Sequence, residues 1–142
     1  MSKANILVVD DQDSIRHFVG RALEDEGYQI RSAGSVREAR AAIEQDMPDL
    51  ALLDLKLPDG SGLELLREIK KVQPEVTVIL MTAFGELETA VEAMSAGAFW
   101  FVKKPFQIEE LMALVARALE SHKLWLELKR LRRSAFSYSM PT

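Results

Sequence analysis

Four short stretches carry residue types suited to phosphoryl chemistry. "VVDDQ" (8–12) sets Asp10 beside Asp11, "LLDLKLPDGSG" (52–62) carries Asp54, "LMTAFG" (80–85) carries Thr82 and "FVKKPF" (101–106) carries Lys104. Crowded carboxylates repel one another, so bringing these acids together requires a cation, and oxygen-only ligands suit a hard ion such as Mg²⁺. No histidine lies in these stretches to suggest zinc. With Mg²⁺ and the Lys104 ammonium receiving an incoming phosphoryl group, Asp54 is the candidate nucleophile, forming an acyl phosphate, and Thr82 is placed to hydrogen-bond it. Taken singly each residue has an ordinary structural meaning: a cap or turn for an Asp after a strand, packing for Thr82, a loop for Lys104-Pro105. The chemistry holds only if the fold delivers all of them to one place.

The pattern between them predicts such a fold. Apolar runs at Ile6 to Val9, Tyr28 to Arg31, Leu50 to Leu53, Val76 to Met81 and Phe99 to Val102 read as strands. Between them Ser14 to Glu26 ends at Gly27, Val36 to Gln45 begins at a Ser35/Glu38 capping box, Leu63 to Val72 stops before Pro74, and Leu87 to Ala96 stops at Gly97. Strict alternation of strand and helix implies an α/β fold, a doubly wound five-stranded parallel sheet covered on both faces. In such sheets ligands bind at the edge where the strand C-termini meet, and every candidate residue follows or ends a strand.

The 142 residues, 48% hydrophobic and 28% charged, suit one domain with a core of its own. The absence of cysteine removes disulfides, thiolate metal sites and cysteine nucleophiles. No leader or membrane-length apolar run is evident, so a cytoplasmic location is expected. A net charge of −4 argues against direct nucleic-acid binding, although Lys123, Lys129, Arg130, Arg132 and Arg133 make one end basic.

The four motifs together resemble the receiver domain of two-component response regulators, over essentially residues 3 to 120. The resemblance implies a flavodoxin-like receiver fold in which Asp54 is the phosphoacceptor, Asp10 and Asp11 the acidic pair, Thr82 the switch hydroxyl and Lys104 the lysine of the site. It further implies that Asp11, Asp54 and the backbone carbonyl of Lys56 bind Mg²⁺ directly, with Asp10 acting mainly through water. Phe101 matches the aromatic switch, and the Lys104-Pro105 peptide is expected to be cis. Lys56 and Phe84 match the positions flanking the path of the water that hydrolyses the phosphate. Asp13 has no role in that pattern and is expected to cap the first helix. A receiver takes its phosphoryl group from a sensor histidine kinase and hydrolyses its own aspartyl phosphate, so the chain is expected to be a switch rather than a metabolic enzyme. A dehalogenase-type phosphatase would carry a second acid two residues after its nucleophile, but Lys56 stands there. A pseudo-receiver would lack part of the acidic set.

The output is the less determined part. "GELETAVEAMSAGAFWFVKKPF" resembles the receivers of enhancer-binding, NtrC-type activators that work with sigma-54, which implies transcription control through an effector domain not in this sequence. The alternative is a stand-alone receiver or phosphorelay intermediate. The last helix is expected to run from Ile108 to Arg133, since neither proline nor glycine interrupts it. The reading divides the chain into a receiver (1–120), a helical extension (121–133) and a disordered tail (134–142). Leu124, Leu128 and Leu131 recur at coiled-coil spacing, which predicts a homodimer through the fifth helix and its extension. Trp100 is expected to be exposed, opposite Phe99 and Phe101, and His17 and His122 to lie on the surface.

Overall fold

The computed structural model describes residues 4–139. In chain order the elements are β1 (Asn5–Val9), α1 (Asp13–Asp25), β2 (Gln29–Ala33), α2 (Val36–Gln45), β3 (Leu50–Asp54), β4 (Lys56–Leu57) and β5 (Gly60–Ser61). They continue with α3 (Gly62–Val72), β6 (Thr77–Thr82), α4 (Leu87–Ser95), β7 (Trp100–Lys103) and α5 (Ile108–Ser139). Five strands form one parallel sheet in the order β2-β1-β3-β6-β7, the doubly wound arrangement that the alternation predicts.

The central strands β1, β3 and β6 are buried on both faces, so they read as continuous apolar runs. Successive side chains serve opposite cores. Ile6, Val8, Leu52, Ile79 and Met81 pack with Val19 and Leu23 of α1 and with Leu111, Val115 and Ala118 of α5. Leu7, Val9, Leu53 and Leu80 pack with Ala39 of α2, Leu66 and Ile69 of α3, and Ala90 and Ala93 of α4. Gly27 and Gly97 sit at φ 96° and 112°, the left-handed conformation that ends α1 and α4 at little steric cost.

Several boundaries depart from expectation. Tyr28 lies outside β2 because its N–H still donates to Leu23 O at the exit of α1 (3.2 Å). Asp13 is not the cap of α1: Gln12 occupies that position without a side-chain cap bond, and Asp13 begins the helix and pairs with Arg16. Ser35 caps α2 as expected, its Oγ accepting the Glu38 N–H at 3.1 Å. Phe99 precedes β7 and packs on the α1/α5 core, whereas Phe101 packs on the opposite one, so the two rings do not share a face. Trp100 is 51% exposed, as expected, but its ring stacks on Phe101 rather than lying opposite both phenylalanines.

Helix α5 continues past Arg133 to Ser139 because "SAFSYS" contains no breaker and the next proline is Pro141. Residues 140–142 of the expected tail lie outside the described residues. His122 is not a surface residue: its side chain is only 10% exposed and its Nδ1 lies 2.7 Å from Glu75 O, ahead of β6. That carbonyl can only accept, so the contact places the proton on Nδ1. Beyond it Leu124, Trp125, Leu128 and Leu131 are each about half exposed. Among the described residues no helix is long and apolar enough to cross a membrane.

Candidate functional site

Parallel pairing brings the strand ends level: Val9 lies beside Leu53, Asp54 beside Met81, and Thr82 beside Lys103. Asp10 and Asp11 follow β1, Asp54 and Thr82 end β3 and β6, and Lys104 follows β7, so the topology gathers all five at the C-terminal edge. Carboxylate oxygens of Asp10, Asp11 and Asp54 lie within 4.8 Å of one another. Asp10 is fully buried, Asp54 is 5% exposed and Asp11 is open to solvent. Lys104 Nζ reaches Asp10 Oδ2 at 2.6 Å and Asp54 Oδ2 at 3.2 Å.

Backbone amides hold the acids in place. Gln12 N–H donates to Asp10 Oδ1 at 2.9 Å, and Lys56 N–H donates to Asp54 Oδ1 at 3.2 Å. Burial, then the neighbouring Asp10 carboxylate, push the Asp54 carboxyl up to about 6 despite the pull of Lys104. Burial also opposes the Lys104 ammonium, but the hydrogen bond from Lys104 to Asp10 and the charges of Asp54 and Asp10 outweigh it and raise its pKa. The donor set fits Mg²⁺. It is all oxygen, and three carboxylates against one ammonium leave two negative charges, the complement of a divalent cation.

Thr82 is buried, and its hydroxyl donates to Val102 O at 3.4 Å, toward β7. Phe101 is half-buried beside the core that α4 closes and stacks on Trp100 with ring centroids 5.5 Å apart. The Lys104-Pro105 peptide is cis, as expected. Phe84 is 96% exposed, so its ring does not cover the buried Asp54 in this state. Asp13 is exposed, and its carboxylate is not in the acidic cluster.

Three contributors are not evident from motif reading. Arg16 donates from Nη1 to the Asp10 carbonyl at 2.6 Å, tying the acidic turn to α1; its helical spacing from Asp13 is the one hint of this. Glu86 accepts the N–H of Ala83 at 2.7 Å, closing the turn after Thr82. The small hairpin β4–β5 follows Asp54 directly, and its turn residue Asp59 reaches the start of α2.

A doubly wound parallel sheet with an acidic cluster and a lysine at its C-terminal edge defines a class of phosphorylation-dependent signalling switch. The chain belongs to the response regulator receiver domain family, whose sequence pattern matches residues 6–116. It is 41% identical over 123 residues to the DNA-binding transcriptional regulator NtrC of Proteus hauseri, covering 87% of this chain and 26% of that protein. It is 38% identical over 119 residues to the sporulation initiation phosphotransferase F of Bacillus subtilis (strain 168), covering 84% of this chain and 96% of that one. A crystal structure of NtrX from Brucella abortus superimposes with a TM-score of 0.86 at 44% identity, covering 92% of this chain and 30% of NtrX. The chain thus spans about a quarter to a third of its regulator relatives.

Proposed function

We propose that Asp54 is the phosphoacceptor of this receiver, and that Asp11, Asp54 and the Lys56 carbonyl hold Mg²⁺ with Asp10 beside it. The observation that carries the reading is the Lys104 ammonium bridging Asp10 and Asp54 within the same acidic cluster. When bound, Mg²⁺ supplies positive charge to the oxygens of the transferring group. An Asp54 oxygen attacks phosphorus, the P–N bond of a kinase phosphohistidine breaks, and the imidazole leaves with its electron pair. Lys104 neutralises charge on the phosphoryl oxygens. Thr82 exchanges its bond to Val102 O for one to the new phosphate, and Phe101 turns with it, altering the face around α4 and α5. The chemistry is self-modification and self-hydrolysis only. With Mg²⁺, acetyl phosphate should label the protein; Asp54→Ala should abolish that label and Asp13→Ala should leave it. Equal loss in both variants would overturn the assignment.

The partner is a sensor histidine kinase, and the output is control of transcription through an effector domain, in keeping with the similarity to NtrC. The second reading is a free receiver in a relay, in keeping with the similarity to the sporulation initiation phosphotransferase F. The half-exposed Leu124, Trp125, Leu128 and Leu131 support a homodimer through α5 and its extension. A cytoplasmic location accompanies both readings.

A further inference from the structure

The segment between β3 and α3 makes a hairpin of two-residue strands, pairing Lys56 with Ser61 and Leu57 with Gly60. A hairpin this small has no stability of its own and must be held from outside. At its base the Gly62 N–H donates to Leu55 O at 3.1 Å, and a Cβ on Gly62 would lie 2.2 Å from Asp54 O, so only glycine permits that approach. At its tip Asp59 reaches across to α2. Its Oδ1 accepts the Val36 N–H at 2.8 Å and its Oδ2 the Arg37 N–H at 3.0 Å. These are the first two amides of α2, and the third, from Glu38, is already satisfied by Ser35 Oγ. Both Asp59 oxygens are therefore engaged at the positive end of a helix, and these two amide bonds hold its carboxyl below the usual range.

The clamp is the polar anchor of the hairpin tip, beside the burial of Leu57 in the core. Helix α2 has its own cap in Ser35, whereas the hairpin tip has no other side-chain hydrogen bond to a neighbouring element among those described. The strand leading to that tip begins at Lys56, whose amide holds Asp54 Oδ1. On the reading that the Lys56 carbonyl is a cation ligand, its position depends on the anchoring of this hairpin. We infer that Asp59 is a positioning residue for the Mg²⁺ site: by fixing the hairpin to α2 it presets the Lys56 carbonyl. Without the clamp the cation must order the hairpin itself, which weakens binding but leaves the loaded site intact.

The test is Mg²⁺ titration by calorimetry on the full 142-residue chain, for the wild type, Asp59→Ala and Ser35→Ala. Ser35→Ala is the control, since it removes a cap of the same helix and leaves the hairpin clamped. Asp59→Ala should weaken Mg²⁺ binding about tenfold, while the acetyl phosphate labelling rate at saturating Mg²⁺ stays within about twofold of wild type. Ser35→Ala should lower the melting temperature with the Mg²⁺ affinity unmoved. An unmoved affinity in Asp59→Ala, or an equal loss in Ser35→Ala, overturns the inference. If Asp59→Ala does not fold, Asp59→Asn, which keeps one acceptor oxygen, is read in the same way. A wild type that binds no Mg²⁺ would instead overturn the cation reading itself.

Discussion

Replacing Asp54 with Asn should stabilise the metal-free protein, because the fold holds this carboxylate at a cost. Its carboxyl lies at about 6, against an ordinary value of 3.8. A folded-state value above the unfolded one adds stability that is complete below 3.8 and lost as the pH rises through about 6. Near pH 7.5 wild type has lost all of it, and at about 1.4 kcal/mol per pH unit the difference is about 3 kcal/mol. Solvent screening takes little from this, since Asp54 is only 5% exposed. Asn carries no charge, keeps an acceptor for the Lys56 N–H, and leaves Lys104 paired with Asp10. Urea unfolding in EDTA should therefore show Asp54→Asn more stable by about 3 kcal/mol near pH 7.5 and by about 1.5 kcal/mol near pH 5, where wild type is mostly protonated. Adding Mg²⁺ should narrow the gap by stabilising wild type alone. No gain from the substitution, or a gain that grows as the pH falls, would refute the electrostatic account.

Truncation after Lys123 retains the docked His122 and removes the exposed leucines, so it should give a monomer that still accepts phosphate; light scattering of the 142-residue chain at tens of micromolar should show a dimer, and a monomer there would refute the pairing. His122→Ala should cost about 1 kcal/mol through the lost bond to Glu75 O. Hydrogen exchange should quicken in α5 beyond Leu119 and not in β1, and unchanged exchange in that part of α5 would mean that the histidine does not fasten it. With Asp54 as the proposed nucleophile, labelling at limiting Mg²⁺ should fall as the pH drops through about 6 and its carboxylate is protonated; a flat profile there would remove Asp54 ionisation as the controlling step.

The fold was legible wherever one element's own sequence decides its form. The runs in β1, β3 and β6 are apolar throughout because both faces are buried, and Ser35, Gly27 and Gly97 mark helix ends by chemistry confined to a few residues. Edges were harder. Strands β2 and β7 carry exposed residues, and their limits depend on which carbonyl a neighbour offers, as when the Phe99 N–H takes Val78 O at 2.7 Å before β7 begins. The gathering of Asp10, Asp11, Asp54, Thr82 and Lys104 was legible because parallel topology alone puts strand ends together, whatever the side chains do next.

Contacts that cross between elements left no such pattern. Asp59 reads as a turn residue after Pro58, and nothing local reveals that its two oxygens end on amides 22 and 23 residues earlier in the chain. His122 reads as a surface residue on a solvated helix, because the carbonyl it meets belongs to Glu75, 47 residues away. Asp13 shows the converse. Its position before an apolar helix has the form of a cap, but the turn from Asp10 already gives its Gln12 amide to the Asp10 carboxylate, so the helix starts one residue earlier and Asp13 turns to Arg16. For Asp59 and His122 the deciding partner is set by the docking of a second element, whereas Asp13 answers to its own turn and helix. The motifs name the atoms of the acidic site, whereas the fastening of the hairpin beside it by Asp59 depends on where α2 docks.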